Sequence, residues 1–144
     1  MNEHYQRLEQ MFHKAPIQGM LPGASMKVSE GKAEYSLQIE EDYFHAANAM
    51  HGAIYFKLLD DAAYFAAASL ETECFILTKS YTIHFRRPVE ADSLRALGEV
   101  VSVENGEFIA KSSIFNSAGK LVAQGEGIFV KGPKPLTSLP AYKS

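Results

Sequence analysis

The period of the hydrophobic positions changes several times along the chain. Tyr5, Leu8, Met11 and Phe12 recur at helical spacing before Pro16, which predicts a short amphipathic helix ending near Lys14. From Lys32 to Glu40, Ala33, Tyr35, Leu37 and Ile39 alternate with Glu34, Ser36, Gln38 and Glu40, the two-residue period of a half-buried strand. Between Ala53 and Ser69 apolar residues lie on every side, many of them alanine and none proline, as a long helix packed on several faces requires. Alternation returns over Thr78–Arg86, where Tyr81, Ile83 and Phe85 interleave with Ser80, Thr82 and His84, and Pro88 ends the ladder because it has no N–H to donate. Leu94–Val103 and Phe108–Asn116 are two further strands joined through Glu104-Asn105-Gly106-Glu107, where Asn-Gly supplies the positive φ angles of a tight hairpin. Ser117-Ala118-Gly119-Lys120 then turns into a last strand, Leu121–Val130.

The order is helix, strand, long helix, then four strands linked by short turns. Short turns make antiparallel neighbours, so the pattern predicts an α+β domain in which an antiparallel β-sheet wraps a long central helix. Residues 1–132 are expected to form this single domain, and 133–144, with three prolines and few apolar residues, a mobile or surface-hugging tail.

A chain of 144 residues is the size of one domain that needs no disulfide or metal to stand. Its net charge of -3 gives no general attraction to nucleic acid or to an anionic membrane, so neither is expected as a partner. Cys74 is the single cysteine, which rules out an intramolecular disulfide and a cysteine zinc site. The opening residues mix charges among apolar positions, unlike a signal peptide, and a cytoplasmic location is expected.

Asp60 and Asp61 stand in the middle of the most apolar helix, where an unpaired carboxylate is costly. Neighbouring helix positions point roughly 100° apart, so the two have different surroundings. Asp60 shares a face with Phe56, Lys57 and Tyr64, and Asp61 with Ile54, Lys57, Leu58 and Phe65; Lys57 is within reach of both. His51-Gly52 sits where this helix begins. Free backbone N–H groups at a helix start suit an oxyanion, and glycine allows close approach. Roughly 12 Å of helix separates Gly52 from Asp60, so joint action on one substrate needs a neighbouring subunit or a fold-back. No HExxH, GxGxxG, GxxxxGK[ST] or GxSxG pattern is present, and no metal or cofactor is expected; His45, His51 and a nearby aspartate form only a chance grouping. Arg86 and Arg87, at a strand end before Pro88, are solvated charges or anchors for an anionic cofactor tail.

Two stretches, HGAIYFKLLDDAAYFAA from His51 and TKSYTIHFRRPV from Thr78, resemble hotdog-fold acyl-CoA thioesterases of the phenylacetate-degradation and hydroxybenzoyl-CoA branch. The likeness spans about residues 19–130. It implies a homodimer or homotetramer with the site shared between subunits, where Gly52 of one chain and Asp60 of the other meet one acyl-CoA thioester. Asp60, nine residues after His51, then falls on the catalytic carboxylate, as nucleophile or as base for water. Gly52 donates its N–H to the thioester oxygen, Thr78 helps place the water, and His51 orders the helix entry. Asp61 is left as a structural partner for Lys57. Three positions depart from the family pattern: Ala53 replaces a second glycine, His45 stands where Asn or Gln touches the thioester, and Asn48 stands where glycine is common. His45 or Asn48 takes over that contact. Phe56, Tyr64 and Phe65 line an aryl pocket or pack the core. The Asp-x-Asn-Pro-x-His and His-Phe-Pro patterns of related hydratases and dehydratases are absent. The expected activity is therefore acyl-CoA hydrolysis; a non-catalytic acyl-CoA or lipid-binding module is the alternative, and a purely structural oligomer a third.

Overall fold

The computed structural model describes residues 2–143; Met1 and Ser144, the outermost residues of the expected domain and tail, lie outside the described residues. The elements are α1 (Asn2–Lys14), β1 (Ala24–Ser29), β2 (Lys32–Gln38), α2 (Gly52–Ala68), β3 (Cys74–Phe85), β4 (Ser93–Glu104), β5 (Glu107–Asn116), β6 (Leu121–Pro135) and α3 (Pro140–Lys143). Short 3₁₀ turns occupy Pro16–Met20, Glu41–Tyr43 and Leu136–Ser138. The six strands make one antiparallel sheet in the order β1-β2-β4-β5-β6-β3. It curls around α2, and this single-domain arrangement is the hotdog fold.

The alanines of α2 are what let it lie so near the sheet. Ala62, Ala63, Ala66 and Ala67 are fully buried, and at Gly98 on β4 an added Cβ would fall 2.0 Å from the Ala62 carbonyl oxygen. Leu58 and Leu59 of the helix share one fully buried core with Phe129 and Ile114 of the sheet, and the Phe129 ring meets Tyr64 edge-on at 5.9 Å. The β4–β5 hairpin turns on Asn105 and Gly106, both at positive φ (53° and 80°), as the Asn-Gly pair requires.

Three boundaries differ from the expected pattern. β1 was not expected, although Ala24, Met26 and Val28 alternate with Ser25, Lys27 and Ser29; six residues ending at a Ser-Glu-Gly turn give a weak signal. β3 starts at Cys74, four residues early, because Cys74-Phe75-Ile76-Leu77 is apolar without alternation. β6 runs on to Pro135, and beyond it Leu136 and Tyr142 are buried. The terminal segment is tied to α1 by His4, whose Nε2–H donates to the Ala68 carbonyl (2.9 Å) while its Nδ1 accepts from the Tyr142 hydroxyl (2.7 Å). α1 itself covers the open side of the core, with the Phe12 ring meeting Tyr35 and Phe65 edge-on at 5.1 and 5.7 Å.

Candidate functional site

The approach to α2 is a tight turn. His45 N–H donates to the Ala49 carbonyl and Asn48 N–H to the His45 carbonyl, both at 2.9 Å, and Asn48 adopts a φ of 65°, which asparagine tolerates better than most residues. The exposed His45 side chain is engaged locally, its Nδ1 accepting the Ala47 N–H at 3.0 Å. His51 is the N-cap of α2, and its Nδ1 accepts from the Ala53 N–H at 2.9 Å, which places its proton on Nε2 in the neutral ring.

Gly52 opens the helix. Its φ is not in the left-handed region, and an added Cβ would meet nothing nearer than 3.6 Å, the edge of the Phe85 ring. Neither conformation nor packing within the chain requires glycine there, although glycine costs a helix roughly 1 kcal/mol against alanine. The backbone at the start of α2 is thus left uncovered by a side chain. Arg86 and Arg87 lie close by, at the end of β3, where both backbone N–H groups donate to the Val122 carbonyl and the Arg87 carbonyl accepts from Tyr55. Their exposed guanidinium groups carry no ion pair among the described residues.

Two turns along α2, the aspartates separate. Lys57 forms an ion pair with Asp61 that is largely shielded from water, and its Nζ lies over the rings of Phe12 (5.6 Å) and Tyr35 (6.0 Å). Burial pushes the Asp61 carboxyl up and Lys57 pulls it back down. Asp60 has no such cation. Its Oδ1 accepts from the Thr78 hydroxyl at 2.9 Å. Burial raises its pKa to about 6, against the lowering effect of the Thr78 hydrogen bond; Asp61 raises it further and Lys57 lowers it.

Asp60 and Thr78 open onto a cavity of about 310 Å³ walled by Met11, Phe12, Ile17, Tyr64, Phe65 and Phe75. Tyr64 is a wall of this cavity and a structural strut at once: its hydroxyl donates to the Ile76 carbonyl at 2.7 Å. The structure thus brings together Asp60, Thr78 and Tyr64, and separately His45, Asn48, His51, Gly52, Arg86 and Arg87 around the start of α2. The second group does not line the cavity of the first. Phe56 stays outside it as well, 40% exposed beside Tyr81. The walls supplied by Met11, Phe12 and Ile17 were not expected at the site; α1 has the pattern of a packing helix, and nothing in its period distinguishes a core face from a pocket face. Among the described residues no three His, Cys, Asp or Glu side chains cluster as metal ligands, and no helix is long and apolar enough to cross a membrane.

Comparison with known proteins adds to this geometry. A family model described as Thioesterase superfamily matches residues 47–123. A protein of Archaeoglobus fulgidus named "Putative esterase" is 26% identical over 117 residues, covering 81% of this chain and 75% of that one. The PaaI protein of the Escherichia coli phenylacetic acid degradation operon superposes with a TM-score of 0.81 at 22% identity, over 93% of this chain and 96% of its own. Zebrafish thioesterase superfamily member 2 does so with a TM-score of 0.79 at 19% identity, over 89% and 98% of the two chains.

Proposed function

The chain belongs to the thioesterase superfamily, and from that premise we propose that it hydrolyses acyl-CoA thioesters to CoA and a free acid, with Asp60 as the catalytic carboxylate. One observation carries the reading: Asp60 is the carboxylate that Lys57 leaves unpaired, held by Thr78 at a cavity of acyl size and with a pKa near 6. A base of that strength is largely ionised at neutral pH and still able to take a proton. Asp60 either removes a proton from water as the water attacks the thioester carbon, or attacks that carbon itself to form an anhydride that water then opens. The Gly52 N–H and the start of α2 stabilise the oxygen anion that develops. The thiolate of CoA leaves and takes up a proton, and Arg86 and Arg87 hold its phosphates.

Gly52 and Asp60 of one chain are too far apart for one thioester, so the site is completed by a second copy. The edge position of β3 supports this, as do the exposed rings of Phe56 and Phe85, 40% and 57% accessible. We propose a dimer at minimum, with a tetramer built from it. The engagement of His45 Nδ1 within its own turn favours a second reading, a module that binds acyl-CoA without turning it over.

The deciding experiment is thiol release from short, medium, long and aryl acyl-CoAs by the wild type and Asp60→Asn. Hydrolysis of some member that the folded, oligomeric variant loses supports the thioesterase. Saturable binding by both with turnover by neither supports the binding module.

A further inference from the structure

β3 carries an irregularity whose consequence reaches Asp60. Thr78 pairs with Phe129 of β6 and Ser80 with Ile128, so Lys79 is an extra residue, a β-bulge. In an unbroken strand residues 78 and 81 would point to opposite faces. The bulge resets the alternation, and both Thr78 and Tyr81 reach the helix side. Tyr81 lies in a groove made by two glycines: an added Cβ at Gly125 would fall 2.4 Å from its ring, and one at Gly127 2.5 Å.

A smaller or wholly apolar side chain would fill that groove without needing a partner, but the Tyr81 hydroxyl has one. It is hydrogen-bonded to Ser112 Oγ, and Ser112 donates onward to the Leu59 carbonyl oxygen at 2.7 Å. A carbonyl only accepts, so the direction is fixed: Tyr81 O–H donates to Ser112, and Ser112 O–H donates to Leu59. Ser112 is 2% exposed, so its hydroxyl must find its partners inside the protein. The Leu59 carbonyl belongs to the same peptide unit as the Asp60 nitrogen. Burial raises the Tyr81 hydroxyl to about 12, with Asp60 contributing, so it keeps its proton at working pH. β3 therefore grips Asp60 twice, at its carboxylate through Thr78 and at its peptide through Tyr81 and Ser112.

We propose that Tyr81 is a positioning residue for Asp60, acting through Ser112 and the Leu59 carbonyl. The proposal rests on Asp60 being the catalytic carboxylate, and its function is to hold the carboxylate at one depth in the cavity, against Thr78 and partly out of water.

The test compares wild type, Tyr81→Phe, Ser112→Ala, the double variant and Asp60→Asn, each checked by circular dichroism and light scattering. Two readouts are taken: kcat and KM on the best acyl-CoA, and the titration of the Asp60 carboxyl followed by carbon NMR. Tyr81→Phe is expected to lower kcat about tenfold with KM unchanged, the scale of one lost hydrogen bond. The Asp60 titration is expected to move down from about 6 towards the ordinary value as water reaches it. Ser112→Ala should do the same, and the double variant should be no worse than Ser112→Ala alone, since one chain is broken once. A Tyr81→Phe protein with wild-type kcat and wild-type Asp60 titration overturns the proposal, even if it melts earlier. If instead Asp60→Asn remains active, or no substrate turns over, the functional reading fails, while the titration in Tyr81→Phe still decides the coupling on its own.

Discussion

Replacing Asp60 with asparagine keeps the side chain's shape and its acceptor for Thr78 but removes its charge. Asp60 binds its proton with a pKa of about 6 in the folded chain, against an ordinary 3.8. Between those two values the folded state holds a proton that the unfolded chain has released. Stability therefore falls as pH rises through that window, and the full deficit persists above about 6. At about 1.4 kcal/mol for each tenfold change in proton affinity the ceiling is about 3 kcal/mol. The cavity mouth admits water to the carboxylate, which reduces the expected figure to about 1–2 kcal/mol. Urea denaturation of wild type and Asp60→Asn at equal protomer concentration, from pH 4.5 to 8, measures it. The variant should differ least from wild type at pH 4.5, where about a third of the effect is present, be more stable by about 1–2 kcal/mol at pH 7.5, and be inactive. A difference independent of pH, or a variant less stable than wild type at pH 7.5, would refute the claim that burial of the charged Asp60 is what strains the site.

Four further outcomes follow from the same geometry. The kcat/KM for an acyl-CoA should rise with pH and level off above about 6, because in the proposed mechanism only the ionised Asp60 acts; a pH–rate profile flat between 5 and 7 contradicts this. Gly52→Ala should fold as well as wild type or gain up to about 1 kcal/mol, since nothing in the chain lies nearer than 3.6 Å, and yet lose most of its kcat; unchanged turnover removes Gly52 from the site. Lys57→Met should lower stability by about 3 kcal/mol by leaving Asp61 buried and unpaired, and adding Asp61→Leu should restore much of it in thermal melts. Phe85→Glu replaces a ring that is 57% exposed on β3 by a charge and should convert the proposed oligomer to monomer in light scattering, with activity lost in step.

Much of the frame is legible in the sequence because its signals are local. The alternation of Ala33, Tyr35, Leu37 and Ile39 marks β2, Asn105-Gly106 marks the β4–β5 turn, and the alanine-rich run after His51 marks α2. Cys74–Leu77 hides the start of β3, since four consecutive apolar residues suit a strand or a helix equally. At the site, only the resemblance to hotdog thioesterases singles out Asp60, nine residues after His51, and the partner of Lys57 is not written in the spacing. Asp60 and Asp61 lie three and four residues beyond it, and only the packing of Phe12 and Tyr35 around Nζ decides for Asp61. Tyr81 and Ser112 leave no trace at all. Their meeting depends on side-chain alternation broken at Lys79, and Tyr81 reads from sequence as an ordinary inward strand residue.

The bulge at Lys79 is a place where chain length can change without changing what faces the core. Lys79 is exposed and pairs with the half-buried Glu107, so many residues can stand there. The position can also be lost. With 79 deleted, Thr78 and Tyr81 would stand two residues apart, still on one face and still opposite Phe129 and Gly127, much as a word spelled with a silent letter reads the same without it. The costly change is to keep all the residues and straighten the strand, which would turn either Thr78 from Asp60 to solvent or Tyr81 out of its glycine groove. In diverging copies of such a chain, position 79 is therefore free to vary in kind and open to deletion.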